Sequence, residues 1–266
     1  MIKLLASDMD GTLLHDDHLV SERNKAAINK WTKEGRFFVP TTGRPMSGMG
    51  HISALFEDDM PFILYNGAMA IMHRSKKKLF SITMPRDLAL EVYLLGVERG
   101  LPVVLWCKDS SMYVNLDCKA TQEYQRLICS PINLIGDRLD DLVNEGVINI
   151  LWLDKPEEIL NYQKNMQDRF KDKVNCYASR PDLFEFVDIN ASKANALEKV
   201  GKMLGVTQKE IAAIGDGYND LSMLRYAGYS IAMGNAPDDI KAECDYVTLT
   251  NNEDGVAAWV ESVVYP

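Results

Sequence analysis

The chain has 266 residues, of which 47% are hydrophobic, and 29 Lys+Arg against 38 Asp+Glu give a formal net charge of −9. This is the composition of a globular protein, and the length allows one large domain or two of medium size. No apolar run is long enough for a membrane span, and an acidic chain without a basic tail is a poor candidate for nucleic-acid binding.

The first 65 residues predict a β-α-β-α-β unit. Apolar strands are expected at residues 2–7, 37–39 and 61–65. Between the first two, Ser21 can cap a helix whose apolar residues recur at helical spacing, and Gly35 ends it. A second helical stretch is predicted after residue 42 and runs to about Phe56. Buried apolar strands that alternate with amphipathic helices favour a parallel sheet covered on both faces.

The middle of the chain has a different pattern. Helices are predicted at residues 85–99, 120–128 and 156–170, and strands at 103–106, 112–115, 147–153, 174–178 and 184–187. The first and last of these helices are each followed by two strands. This arrangement indicates an α+β unit with a weak internal duplication.

The α/β pattern returns after residue 191. Helices are predicted at residues 192–204, 221–226, 236–243 and 255–263, and strands at 211–214, 229–233 and 246–249. We therefore predict an α/β protein with a Rossmann-like parallel-sheet core, formed by residues 1–81 and 188–266. An α+β cap domain is expected to be inserted at residues 82–187.

Two aspartates follow the first predicted strand, in the motif Asp8-Met9-Asp10-Gly11-Thr12. Carboxylates this close repel each other, and burying them requires a cation or a retained proton. Oxygen ligands suit Mg²⁺, and a carboxylate can also act as a nucleophile in phosphoryl transfer. Because ligands bind at the carboxyl ends of strands in open α/β sheets, this motif is the strongest candidate for a site.

Three further segments lie near predicted strand ends or helix starts. Thr41-Thr42-Gly43-Arg44 offers a hydroxyl and backbone N–H groups to a phosphate, and Gly215-Asp216-Gly217-Tyr218-Asn219-Asp220 adds acidic ligands. Lys193 lies near a helix start, where a cation is more easily explained if it faces an anion. Taken singly, each could be a helix cap, a surface lysine or a turn. Because the carboxyl ends of parallel strands gather at one edge, we expect them to converge.

These four segments occur in the order DMDGT, TTGR, a lysine and GDGYND, which resembles the four motifs of the haloacid dehalogenase (HAD) superfamily of phosphatases. The segments 66–68, 233–236 and 254–257 further resemble its Cof-type branch, subfamily IIB, whose α/β cap lies between the second and third motifs. The resemblance implies a Mg²⁺-dependent phosphatase that hydrolyses small phosphomonoesters, such as sugar phosphates, through an aspartyl-phosphate intermediate. The cap is then expected to determine the choice of substrate.

The resemblance also implies a metal site and an acid–base pair. Asp8 would be the nucleophile and a Mg²⁺ ligand, and Asp216 would be another ligand. Asp10 would protonate the leaving oxygen and then activate water, while its backbone carbonyl binds the metal. Asp220 would lie near a water molecule bound to the metal, or near Lys193.

The remaining implied roles concern the phosphoryl group. Thr42 would hold its oxygens, and Lys193 would neutralise charge on the nucleophile and on the phosphoryl group. Gly43, Asn66 and Asn219 would also bind the phosphate.

Two other functions remain open from the motifs. A phosphomutase or phosphotransferase would use the same catalytic residues. A regulator that only binds a phosphorylated metabolite is disfavoured, because it needs no nucleophile and acid together. The expected partner is a small phosphorylated metabolite, with no nucleic acid and no membrane, and the sequence leaves the oligomeric state undecided.

The five cysteines are scattered and form no CxxC pair, which argues against a disulfide framework or a zinc site. The N-terminal segment reaches Asp8 too early for the apolar core of a signal peptide. Both features favour a reducing compartment, and we expect a cytoplasmic protein.

Overall fold

The computed structural model of the protein describes residues 1–53, 55–56 and 59–264. The N-terminal elements are β1 (Leu4–Ser7), α1 (Glu22–Lys33), β2 (Phe37–Pro40), α2 (Gly50–Ser53), β3 (Pro61–Leu64), β4 (Met69–Met72) and β5 (Lys78–Ser81). Helix α1 begins where the predicted cap, Ser21, accepts a hydrogen bond from the backbone N–H of Asn24. The chain leaves the helix through Gly35, whose φ of +78° suits glycine.

The middle of the chain forms α3 (Arg86–Glu98), β6 (Val103–Cys107), β7 (Met112–Val114), α4 (Lys119–Ile128), β8 (Asn133–Leu134), α5 (Leu139–Glu145), β9 (Val147–Leu153), α6 (Pro156–Arg169), β10 (Val174–Arg180) and β11 (Leu183–Asp188). Strands β10-β11-β9-β6-β7-β8 make a six-stranded mixed sheet. Helices α3 and α6 pack on it over an apolar core that includes Trp152, Phe184 and Phe186. The sequence missed α5 and β8, which are only seven and two residues long.

The C-terminal elements are α7 (Lys193–Met203), β12 (Ile211–Gly215), α8 (Leu221–Tyr226), β13 (Tyr229–Ala232), α9 (Asp238–Ala242), β14 (Tyr246–Val247) and α10 (Gly255–Val264). Strand β14 ends two residues earlier than predicted. Among the described residues, no helix is both long and apolar enough to cross a bilayer.

The first and last parts of the chain share one parallel sheet, in the order β14-β13-β12-β1-β2. Strand β1 is paired in parallel with β2 on one side and with β12 on the other. The register sets Ser7 opposite Ile214, so the residues that follow these strands leave the sheet side by side. The predicted α/β class, with a parallel core sheet and an inserted mixed cap sheet, is confirmed.

The segment at residues 61–65 was expected to be a third parallel strand of this sheet, and β3 does run parallel to β2, with a bridge between Thr41 and Ile63 and a hydrogen bond from the Thr42 N–H to the Ile63 carbonyl at 2.9 Å. Its longer ladder, however, is antiparallel with β4 in the sheet β3-β4-β5, which the sequence did not predict. The turn after β3 explains this pairing, because Tyr65, Asn66 and Gly67 all have positive φ and reverse the chain into β4. The Asn-Gly pair is a turn signal that the strand prediction did not use.

The long helix predicted after residue 42 is wrong. The structure has a 3₁₀ turn at Met46–Met49 and then only the four-residue helix α2. Pro45, Gly48 and Gly50 explain the difference, since proline lacks an N–H and glycine disfavours helix. The predicted end near Phe56 borders residues 54 and 57–58, which lie outside the described residues.

The chain divides into two compact units. One consists of Met1–Thr42, Gly50–Leu79 and Ser192–Pro266, and contains the parallel sheet. The other consists of Gly43–Met49 and Phe80–Ala191, and contains the six-stranded sheet.

His73 is a fully buried histidine in the first unit. Its Nδ1 accepts a hydrogen bond from the backbone N–H of Met60 at 3.0 Å, and its ring stacks on Phe62 with centroids 4.9 Å apart. Its Nε2 has no hydrogen-bond partner among the described residues. Burial lowers the pKa of His73 below the ordinary value of 6.5, because a charged ring would lose its hydration.

We expect this histidine to make the protein less stable in acid. Below pH 6.5 the unfolded chain takes up a proton that folded His73 resists, so the free energy of unfolding falls as pH decreases. Urea titrations at pH 7.5 and 5.5 measure the fall. In His73→Asn, whose Oδ1 can still accept the Met60 N–H, the fall should be smaller. An equal fall in both proteins would contradict the prediction.

Candidate active site

Two neighbouring strands deliver the acidic residues. Asp8 follows β1, and its backbone N–H donates to the Ile214 carbonyl at 3.0 Å, which extends the β1–β12 ladder by one residue. Asp216 follows β12 directly. A Cβ on Gly215 would lie 2.6 Å from Asp220 Oδ2, so only glycine lets the Asp220 carboxylate fold back onto the strand end. Both predicted acidic motifs therefore meet at one edge of the sheet.

Lys193 reaches the same edge from the first turn of α7. Its Nζ donates to Asp8 Oδ1 at 2.5 Å and to Asp220 Oδ1 at 2.6 Å. Both carboxylates and the ammonium are nearly fully buried. A cation at a helix start opposes the helix dipole, and these two carboxylates outweigh that effect. The alternative reading of Lys193 as a solvated surface lysine is wrong.

The charges at this sheet edge do not balance. Asp8, Asp216 and Asp220 face the single ammonium of Lys193, which leaves a net charge of −2 if all are ionised. Burial, and next the charge of Asp220, raise the pKa of Asp8 well above its usual value. The same two causes raise the pKa of Asp216 to about 6. Burial opposes the charge on Lys193, yet Asp220 and Asp8 outweigh it and raise the pKa of this lysine.

These carboxylates fit a divalent cation. Oxygens of Asp8, Asp216 and Asp220 lie within 4.8 Å of one another. Asp220 is already engaged, because Oδ1 accepts from Lys193 and Oδ2 accepts from the backbone N–H groups of Asp216 and Gly217. Asp8 and Asp216 therefore offer the better ligand oxygens. Hard oxygen donors with an uncompensated charge of −2 are suited to Mg²⁺.

Asp10 differs from Asp8 in its exposure. Its side chain is 46% exposed, and the Nδ1 of His18 lies 3.6 Å from its Oδ1. Gly11 follows with a φ of +76°, which turns the chain out of the sheet directly after this residue. One carboxylate of the motif is thus buried beside a lysine, and the other is partly exposed to solvent.

Three of the predicted phosphate-binding residues lie close together in the first unit. The backbone N–H of Asn66 donates to the Thr42 carbonyl at 3.0 Å, and Asn219 Nδ2 lies 3.5 Å from Asn66 Oδ1. Thr42 and Asn66 are nearly fully buried. Gly43 follows Thr42 directly and is the first residue of the segment Gly43–Met49, which clusters with the second unit.

Two residues that touch Asp216 had no predicted role. The Thr12 hydroxyl donates to Asp216 Oδ1 at 2.7 Å, and Asn235 Nδ2 lies 3.5 Å from Asp216 Oδ2. Both stand in segments that the sequence analysis quoted, DMDGT and residues 233–236. Their contacts could not be read from those segments, because Thr12 and Asp216 are 204 positions apart.

Comparison with known proteins gives consistent matches along the whole chain. Residues 5–260 match the family model described as haloacid dehalogenase-like hydrolase. YxeH of Bacillus subtilis is 30% identical over 99% of both chains. YcsE of Bacillus subtilis, named as a 5-amino-6-(5-phospho-D-ribitylamino)uracil phosphatase, is 30% identical over 96% of this chain and 93% of its own.

Solved structures agree with these matches. A haloacid dehalogenase-like hydrolase from Bacteroides thetaiotaomicron is 29% identical, with a TM-score of 0.86 over 99% of this chain and all of the other. The HAD subclass IIB sugar phosphatase BT4131 has the same fold, with a TM-score of 0.82 over 98% of this chain and 99% of its own, at 21% identity.

Proposed function

Because this chain belongs to the haloacid dehalogenase-like hydrolases, as a Cof-type (subfamily IIB) phosphatase, we propose that it hydrolyses small phosphomonoesters through an aspartyl phosphate on Asp8. The observation that carries the proposal is the buried Asp8 carboxylate, held 2.5 Å from the Lys193 ammonium beside Asp216. One oxygen of Asp8 is fixed by that hydrogen bond, which leaves the other to attack phosphorus.

In the first step, an Asp8 oxygen bonds to phosphorus and the bond from phosphorus to the alcohol oxygen breaks. Asp10 gives its proton to that oxygen, so the leaving group departs as a neutral alcohol. In the second step, water attacks the phosphorus of the aspartyl phosphate while Asp10 takes a proton from it. The bond to Asp8 breaks, inorganic phosphate leaves, and both carboxyl groups return to their starting states. The partial exposure of Asp10 supports its role as the proton carrier.

Positive charge and hydrogen-bond donors would stabilise the transferring phosphoryl group. Lys193 supplies a permanent ammonium that Asp220 holds in place at 2.6 Å. A hydroxyl and two amide groups lie together at Thr42, Asn66 and Asn219, and each can donate a hydrogen bond to a phosphoryl oxygen. Positioning and charge neutralisation of this kind supply most of the catalysis in phosphoryl transfer.

Asp8 and Asp216 would hold Mg²⁺, with the backbone carbonyl of Asp10 as a further ligand. When bound, Mg²⁺ supplies charge neutralisation for the phosphoryl oxygens and for Asp8. The net charge of −2 among these three carboxylates and Lys193 supports a divalent ion at this place.

Chelation is expected to lower turnover by at least about 10²-fold, because the phosphoryl group then meets uncompensated carboxylates. Added Mg²⁺ should restore full activity and Ca²⁺ should restore little, since Ca²⁺ prefers more ligands at longer distances. Phosphate release measured in excess EDTA tests this, with EDTA presaturated by Mg²⁺ as the control. Unchanged turnover in excess EDTA would rule out the metal role of Asp8 and Asp216.

The substrate class is tested by a panel of phosphomonoesters. The relative YcsE is named for a ribitylaminouracil phosphate and BT4131 for sugar phosphates, so both classes belong in the panel. We expect equal amounts of free phosphate and alcohol from the preferred substrate. A phosphomutase would instead form an isomeric phosphate and release little free phosphate.

A further inference from the structure

Asn235 occupies the turn that follows β13, next to Asp216. The backbone N–H of Met233 donates to the Gly215 carbonyl at 3.0 Å, so β13 runs beside the end of β12. The side-chain Nδ2 of Asn235 lies 2.8 Å from the Gly11 carbonyl and 3.5 Å from Asp216 Oδ2. One side chain thus contacts both the loop after β1 and the acidic residue after β12.

The Asn235 side chain is itself held in place. Its Oδ1 accepts the backbone N–H of Asn251 at 3.0 Å, which fixes the amide plane and directs Nδ2 toward Asp216. Asp216 is held from its other oxygen by the Thr12 hydroxyl at 2.7 Å. The two donors therefore restrict the rotation of one carboxylate from both sides.

Two further asparagines bind the same loop. Asn24 Nδ2 donates to the Leu13 carbonyl at 3.3 Å, and Asn251 Nδ2 donates to the Leu14 carbonyl at 3.0 Å. Neither of these contacts involves Asp216. Asn235 is thus the asparagine, among these three, that joins the loop to a carboxylate of the site.

We propose that Asn235 is a positioning residue for the metal site, which holds the Asp216 carboxylate and the Gly11 carbonyl in a fixed relation. The inference rests on the proposed role of Asp216 as a metal ligand. Groups that orient a metal ligand typically change metal affinity by about 10- to 100-fold when they are removed. Because Asn235 is exposed and lies outside the apolar core, its replacement should change metal affinity far more than it changes the fold.

The test compares Asn235→Ala with Asn252→Ala. Asn252 is a matched control, because it is also exposed and binds the same loop, with its amide paired to the Asp16 carboxylate and backbone N–H at 2.8 and 3.1 Å. Melting temperatures are measured over a Mg²⁺ series without substrate, and each protein is compared with its own metal-free value. Asn235→Ala should need about tenfold more Mg²⁺ than wild type for the same rise in melting temperature. Asn252→Ala should need less than about twofold more.

A second readout is the KM for p-nitrophenyl phosphate at saturating Mg²⁺, which should stay within about twofold of wild type in Asn235→Ala. Wild-type Mg²⁺ dependence in Asn235→Ala would overturn the proposal. An equal shift in Asn252→Ala would also overturn it, because general loosening of the loop would then explain the effect.

Asp216→Asn separates this inference from the proposed function. If Asp216→Asn shifts the Mg²⁺ series and Asn235→Ala does not, the metal site stands and only the role of Asn235 is wrong. If neither variant shifts it, the metal site is misassigned and the role of Asn235 falls with it.

Discussion

Asp8→Asn is expected to abolish turnover while the protein stays folded. The amide keeps the shape of the side chain but removes the nucleophilic oxygen. It also takes one negative charge from three carboxylates that, with Lys193, carry a net charge of −2. We expect kcat to fall by at least about 10³-fold, which is about 4 kcal/mol in the barrier. Steady-state phosphate release measures the loss, and the melting temperature verifies the fold.

Asp17→Asn is the matched control for this variant. Asp17 lies in the loop after β1, and its carboxylate accepts the backbone N–H of Leu19 at 2.9 Å. It contacts none of the groups at the sheet edge that the structure describes, so its turnover should stay within about twofold of wild type. Turnover of Asp8→Asn within tenfold of wild type, about 1.4 kcal/mol, would rule out Asp8 as the nucleophile.

The second large effect concerns Asp10→Asn, which should accumulate a phosphorylated enzyme. With p-nitrophenyl phosphate the leaving group departs without much protonation, so the first step is partly spared. Hydrolysis of the aspartyl phosphate still needs an activated water, and loss of the base should slow it by about 10²- to 10⁴-fold. Rapid mixing should then release about one nitrophenolate per active site in a burst, followed by slow turnover.

Intact-mass measurement after the burst should find one added phosphoryl group on Asp10→Asn, located on Asp8 by peptide mapping. Asp8→Asn should give neither burst nor label. An alkyl phosphate serves as the second substrate, because its poor leaving group should slow the first step as well and remove the burst. A wild-type rate in Asp10→Asn, or a label on another residue, would show that the two-step mechanism is wrong.

The sequence predicted the fold family and most of the elements. The resemblance to the HAD superfamily is confirmed by the family model over residues 5–260. Helices α1 and α7 begin at serine caps and end near glycines with φ of +78° and +70°, and each of these signals is read from a few residues at one end of the helix. The failures were also local in origin. The turn at residues 65–67 reverses the chain into β4, a strand that was not predicted, and Pro45, with glycines nearby, shortened a helix.

The sequence by itself determined that Asp8 and Asp216 follow strands, because strand patterns and turn residues are read over short distances. It also determined the acidic character of the motifs, since that depends on composition alone. The sequence led to the expectation that these motifs converge, and only the tertiary structure decided which atoms are in contact. Lys193 binds Asp8 across 185 positions, and Asn235 reaches Gly11 across 224. Such contacts depend on strand order and register, which arise from packing the whole sheet and leave no periodic signal in the chain.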